Sequence, residues 1–124
     1  MLTEPTWLPD DLVRLYGSDI DKNWCSDYVG KRRFCVKAGL PPLPGDAGDA
    51  VIFALVRTLP LAIRWVVERH TGLWSGRSES GDDESFEEIA KTLSPLTTMD
   101  VENLYEAGIA LVRAEAAKSG VIRG

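Results

Sequence analysis

The sequence predicts an all-α fold, a small single-domain bundle of about five helices formed by residues 1–124 around a central apolar helix at residues 50–70. Apolar side chains recur at spacings of three and four residues, which is the period of an amphipathic helix. No segment alternates apolar and polar residues with the period of two that a strand requires. Glycine and proline separate the helical stretches, and 124 residues match the size of one domain.

The first two predicted helices span residues 9–16 and 22–38. Pro9 and the two aspartates after it are typical of a helix start, where negative charge meets the positive end of the helix dipole. Gly17 and Gly39 mark the two helix ends. The proline-rich link after Gly39 predicts extended backbone, because the residue before a proline avoids helical dihedral angles.

The third stretch covers residues 49–70 and contains Pro60, which removes a backbone donor. It is therefore either one kinked helix or two helices, the second of which begins at Pro60. Arg57 and Arg64, seven residues apart, form with Glu68 a polar stripe that we expect to reach solvent. We also expect Arg64 to pair with a carboxylate such as that of Glu68. Two arginines and a proline argue against a membrane-spanning helix here.

The fourth predicted helix spans residues 83–93, with acids clustered in its first turns and an apolar stripe along one side. A loop rich in glycine and serine precedes it, and Pro95 follows its end. The fifth helix begins at Thr97 or Thr98, either of which can cap it, and continues to a stop at Gly120. Its many alanines favour helix formation.

The net charge of −5 is confined to the second part of the sequence. Residues 1–75 hold nine basic and nine acidic side chains, whereas residues 76–124 hold five basic and ten acidic ones. A run of acids without any base lies between residues 78 and 90 and predicts a solvent-exposed acidic face. Its members are Glu79, Asp82, Asp83, Glu84, Glu87 and Glu88.

This acidic face predicts a protein partner with a basic surface, because complementary charge raises the rate and specificity of association. Trp7 and Trp74 lie in flanking segments, and tryptophan is enriched among interface hot spots. The leading hypothesis is a small, non-enzymatic, cytoplasmic protein that binds another protein. It would act as an adaptor, assembly factor, inhibitor or immunity-type accessory protein of a phage or bacterium, alone or as a subunit of a homo-oligomer or larger assembly.

Two other functions remain open. One is nucleic-acid binding, because an acid-free basic segment with interleaved aromatic residues can contact a phosphate backbone, although the acidic balance of the chain disfavours it. The basic residues of that segment are Lys31, Arg32, Arg33 and Lys37. The other is a small enzyme or ligand carrier in which Arg57 and Arg64 hold an anionic ligand within the bundle.

No recognisable motif for a metal, a cofactor or a catalytic nucleophile occurs in the sequence. A zinc site needs about four ligands at short spacings, whereas the chain has one histidine and two cysteines. That histidine, His70, is expected to cap the last carbonyls of its helix or to be exposed. Cys25 and Cys35 lie about 15 Å apart along one predicted helix, too far for a disulfide, and free thiols fit a reducing cytosol.

Overall fold

The computed structural model describes residues 12, 28–43, 45–73, 84–93 and 95–121. These residues form five helices and no strand, which confirms the predicted all-α bundle. The helices are α1 (Tyr28–Ala38), α2 (Gly45–Val56), α3 (Leu61–Thr71), α4 (Phe86–Thr92) and α5 (Thr98–Lys118). The helix predicted at residues 9–16 lies outside the described residues except for Leu12, which is helical and buried.

The apolar stretch at residues 50–70 forms two helices, and Pro60 separates them. The backbone of Pro60 is extended, with φ −54° and ψ 144°, and it directly precedes α3. Its carbonyl oxygen accepts a hydrogen bond from the amide of Arg64 at 2.8 Å, so that it begins the first turn of α3. Of the two alternatives left open by the sequence, the one in which Pro60 opens a second helix is correct.

The centre of the bundle is the contact between α3 and α5. α5 contacts all four other described helices, and its interface with α3 is the most extensive. Gly108 of α5 faces α3, and a Cβ atom there would lie 2.5 Å from Cγ2 of Val67 and 2.7 Å from Cγ2 of Ile63. Because glycine has no Cβ, the two helices can pack at this close distance. The central element is therefore a helix pair and not residues 50–70 alone.

The polar stripe predicted on the third stretch is largely buried, so the expectation that it reaches solvent is wrong for two of its three members. Arg64 is 4% exposed and Glu68 is fully buried. Contacts with α1, α4 and α5 surround α3, which leaves no side of this helix open to water at these positions. The predicted pairing is confirmed, since Nε of Arg64 donates to Oε1 of Glu68 at 2.8 Å. Arg57, beyond the end of α2, is exposed.

The helix ends follow the signals in the sequence. Thr97 caps α5, because its hydroxyl accepts from the amide of Asp100 while the Asp100 carboxylate accepts from the amide of Thr97. Gly39 and Gly72 follow the ends of α1 and α3 with φ of 68° and 77°, a left-handed conformation that glycine adopts without strain. None of the five helices is both long and apolar enough to cross a membrane.

Candidate functional site

The four basic residues predicted to contact nucleic acid lie in α1 and divide into two pairs. Lys31 is 8% exposed, and its Nζ lies 2.7 Å from Oδ1 of Asp49 in α2. Nη1 of Arg33 donates to the carbonyl oxygen of Thr71, the last residue of α3, at 2.6 Å. Arg32 and Lys37 are exposed. Two of the four charges therefore hold α1 against the bundle, and two lie on its outer surface.

Two further contacts fix the position of α1. A Cβ atom at Gly30 would overlap the carbonyl oxygen of Gly72, so α1 and the end of α3 pack backbone against backbone. At the other end of α1, Arg113 of α5 donates from Nε to the carbonyl oxygen of Ala38 at 3.1 Å and from Nη2 to that of Lys37 at 3.2 Å. A cation at this end also interacts favourably with the helix dipole. The outer face of α1 is thereby held in a fixed orientation.

A groove of about 340 Å³ lies along this outer face, and we call it the α1 groove. It forms because the chain reverses at Gly39 and the amide of Leu40 donates back to the carbonyl oxygen of Cys35 at 2.8 Å. Cys35 and Leu40 are buried beneath it, whereas Val36 is 76% exposed at its edge. The residues that line it are Lys31, Arg32, Cys35, Val36, Leu40, Pro42 and Leu43.

The thiol of Cys35 contributes to the apolar base of the α1 groove. Burial raises its pKa, and a hydrogen bond from the backbone of Leu43 and the nearby charge of Lys31 only partly offset this rise. The sulfur therefore stays protonated at neutral pH, and a protonated thiol is a weak nucleophile. Cys35 is a free cysteine, and Cys25 lies outside the described residues.

The acidic face is described only in part. Glu84 is half-buried, and its carboxylate lies 3.4 Å from Nη1 of Arg69. The side chain of Glu88 accepts from the amide and hydroxyl of Ser85 and completes the cap of α4. Glu87 is exposed. The other predicted partner-binding residues, Glu79, Asp82, Asp83, Trp7 and Trp74, lie outside the described residues.

His70 connects α3 to α4, which differs from the predicted role. Its Nδ1 donates to the carbonyl oxygen of Glu84 at 2.9 Å, since a carbonyl can only accept. Its ring stacks on Phe86 at 4.0 Å between centroids and contacts the edge of Tyr105 at 4.6 Å. The expectation that His70 caps its own helix or is simply exposed is wrong, because Phe86 and Tyr105 form a slot that holds the imidazole.

The two arginines of the proposed anion site both approach Phe53. The guanidinium of Arg57 lies 5.4 Å from the ring centroid, and that of Arg64 lies 5.8 Å from it. The charge of Arg64 is already compensated by Glu68, which weakens its attraction for an added anion. Within the described part of the chain, no three His, Cys, Asp or Glu side chains converge to hold a metal ion.

Sequence reasoning missed the α1 groove and the positions of Val36, Leu40 and Arg113 around it. Val36 lies four residues after Arg32, so both lie on one side of α1, but it reads as one apolar residue within a basic run. A usable signal was present, because a glycine that ends a helix is often followed by an apolar residue that folds back onto the helix, as Leu40 does after Gly39. Arg113 had no signal, since its contact with α1 spans 75 residues.

No family model, no curated protein and no solved structure matches this chain. Its function is therefore inferred from the shape and charge of the surface that the described residues form. On that surface, the α1 groove combines an apolar recess with exposed cations.

Proposed function

We propose that this chain is a protein-binding module that acts by binding and not by catalysis, and that the α1 groove is its principal contact surface. The observation that carries the proposal is the side chain of Val36, which is 76% exposed beside an apolar recess. An exposed apolar patch with a polar rim is typical of a protein interaction site. A recess of about 340 Å³ is large enough to receive one apolar side chain from a partner.

The charges around the groove favour an acidic partner segment. Arg32 and Lys37 are exposed on α1, and exposed Arg113 lies against its end. A partner with one or more carboxylates beside an apolar side chain would match both the recess and its rim. Lys31 adds little attraction for such a partner, because Asp49 neutralises its charge at 2.7 Å.

The same arrangement disfavours the nucleic-acid alternative. Binding to a phosphate backbone gains affinity from each lysine or arginine that neutralises a phosphate. Lys31 and Arg33 make internal contacts, so that only Arg32 and Lys37 of the predicted set are exposed on α1. An apolar recess between the charges also suits an amino-acid side chain better than a phosphate.

A contact between the acidic face and a basic partner stays a prediction, now with a cleaner test. Charge reversal at Glu84 would also disturb Arg69, and reversal at Glu88 would break the cap of α4. Glu87→Lys changes only an exposed charge. If the acidic face contributes to binding, Glu87→Lys lowers the affinity for a basic partner. Variants of the α1 groove should leave that affinity unchanged.

The proposal is tested by selecting a random peptide library, displayed on phage, against the purified full chain. We expect enrichment of peptides that carry a large apolar residue next to Asp or Glu. Their affinity is then compared for the wild type, for Val36→Glu and for the control Ala54→Glu. Ala54 is an exposed residue of α2 that does not line the groove.

The expected result is a loss of at least about tenfold in affinity for Val36→Glu and no change for Ala54→Glu, since a tenfold loss corresponds to about 1.4 kcal/mol. Circular dichroism establishes that both variants fold. Absence of enriched peptides, or peptides that bind Val36→Glu as tightly as the wild type, would contradict the proposal.

A further inference from the structure

The outer face of α5 is a second surface without a described partner, distinct from the α1 groove. Met99 is 72% exposed near the start of the helix, and Leu111 is 46% exposed in its second half. Ala110, Ala114 and Ala117 are also exposed, and they recur at spacings of four and three residues in the second half of α5. This face carries Met99 near its start and small alanine side chains from Ala110 onward, and exposed Glu102, Asn103 and Glu106 lie between them.

The exposed charges of α5 are segregated along the helix. Asp100, Glu102 and Glu106 are exposed in the first half, and Arg113 and Lys118 are exposed in the second half. Glu115, the other acid in the second half, is half-buried on the side turned toward the bundle. A helix with acids at one end of a face and bases at the other is complementary to an antiparallel copy of itself.

We propose that two copies of this chain associate through the outer faces of α5, with the helices antiparallel and the two-fold axis at Ala110. In this register, residues whose numbers sum to about 220 face each other. Glu106 then lies near Arg113 of the second copy, and Asp100 lies near Lys118 of the second copy. The members of each pair are separated by whole turns of about 3.6 residues, so both fall on the same side of the helix and can meet.

The side chain at the axis allows close helix packing. Alanine at position 110 lets the two helix axes approach to the short end of the usual 8–10 Å range. Met99, which is 72% exposed, is placed near the C-terminal end of α5 of the second copy. A helix face about 30 Å long and about 10 Å wide covers roughly 300 Å². A standard interface buries about 800 Å² per partner, so we expect the dimer to be weak and to depend on concentration.

Sedimentation equilibrium of the full chain over a range of concentrations tests the association. We expect a monomer–dimer equilibrium that Ala110→Glu weakens by at least about tenfold, because it places two like charges at the axis. Ala54→Glu adds the same charge to an exposed alanine of α2 and should leave the equilibrium unchanged. A wild type that stays monomeric at millimolar concentration, or equal effects of the two variants, would overturn the proposal.

Cysteine cross-linking tests the antiparallel register. Under mild oxidation, Ala110→Cys should form a covalent dimer, because its two copies meet at the axis. Met99→Cys should not exceed the wild type, since its two copies lie about 33 Å apart along the helices at 1.5 Å per residue. Equal cross-linking of both variants, or no cross-linking of Ala110→Cys, would overturn the register. Val36→Glu should dimerise as the wild type does, because Val36 lies in the α1 groove and not on α5.

Discussion

α1 and α4 are charged helices of opposite sign, and they use their apolar residues differently. In α4, Ile89 is buried and Phe86 packs against His70, so the apolar side of this helix faces the interior of the bundle. In α1, Phe34 is fully buried, but Val36 points outward beside a recess. A run of like charges therefore does not by itself identify a binding surface. In α1, an exposed valine beside an apolar recess marks the candidate binding surface within the charged run.

Both helices also divide their charges between internal and external roles. Lys31 of α1 pairs with Asp49, and Glu84, two residues before α4, pairs with Arg69. Each pair fixes its segment to the bundle. The net charge of a sequence segment therefore overestimates the charge that a partner meets. Substitutions that act on the inner contacts should change stability, whereas substitutions on the outer face should change binding.

The largest effect is expected where α1 is held closest to α3. Gly30→Ala would place a Cβ atom onto the carbonyl oxygen of Gly72, and backbone atoms cannot move aside as a side chain can. We expect a loss of about 3 kcal/mol in the free energy of unfolding, measured by urea denaturation. Lys37→Ala, at an exposed position of the same helix, should change it by less than about 0.5 kcal/mol. Equal effects would show that α1 is not anchored at Gly30.

The ion pair of Glu84 with Arg69 should contribute less to the free energy of unfolding than the close packing at Gly30. Glu84→Lys replaces an ion pair with two like charges in a partly buried place beside Arg69, and we expect a loss of about 1–2 kcal/mol in the free energy of unfolding. Glu87→Lys, on an exposed position of α4, should change it by less than about 0.5 kcal/mol. A smaller loss for Glu84→Lys than for Glu87→Lys would contradict the assignment of Glu84 to an internal role.

A buried group that titrates at alkaline pH lies in or beside each of the two helices, Cys35 in α1 and Tyr105 next to α4. Burial raises the pKa of Cys35, under the α1 groove, and that of Tyr105, beside α4, above their ordinary values of 9.0 and 10.0. Between the ordinary and the raised pKa, the folded chain binds more protons than the unfolded chain. Stability therefore falls as pH rises above about 9, and the loss is complete once each raised pKa is passed.

Urea denaturation between pH 8 and 11 checks this dependence. Cys35→Ala should reduce the part of the fall that begins near pH 9, and Tyr105→Phe should reduce the part that begins near pH 10. Tyr105→Phe should cost little at neutral pH, because the buried hydroxyl has no hydrogen-bond partner among the described residues. An unchanged pH profile in both variants would contradict the burial of these two groups.

The smallest effect on stability is expected at the rim of the groove. Arg32→Glu combined with Lys37→Glu reverses two exposed charges, and the free energy of unfolding should change less than in Glu84→Lys. Affinity for a selected acidic peptide should fall, and the difference from wild type should shrink as salt is added, since salt screens surface charges. A double variant that binds such peptides as the wild type does would remove the rim charges from the proposal.

The local signals in the sequence were sufficient for much of the fold. Thr97 at the start of α5, Gly39 and Gly72 at helix ends, and the helical spacing of apolar residues all act within a few residues of the chain. The burial of Arg64 with Glu68 was missed, because it depends on three helices that surround α3 from distant parts of the sequence. The inward position of Lys31 and Arg33 was missed for the same reason, because their partners Asp49 and Thr71 lie 18 and 38 residues away along the chain.

Binding at the α1 groove is tested by titrating a selected acidic peptide into the ¹⁵N-labelled chain and recording two-dimensional NMR spectra. We expect the amide signals that shift to belong to Arg32, Val36, Leu40 and Leu43, and the signals from residues 84–88 to stay in place. Shifts confined to residues 84–88, or spread evenly over the bundle, would contradict the assignment of binding to the α1 groove.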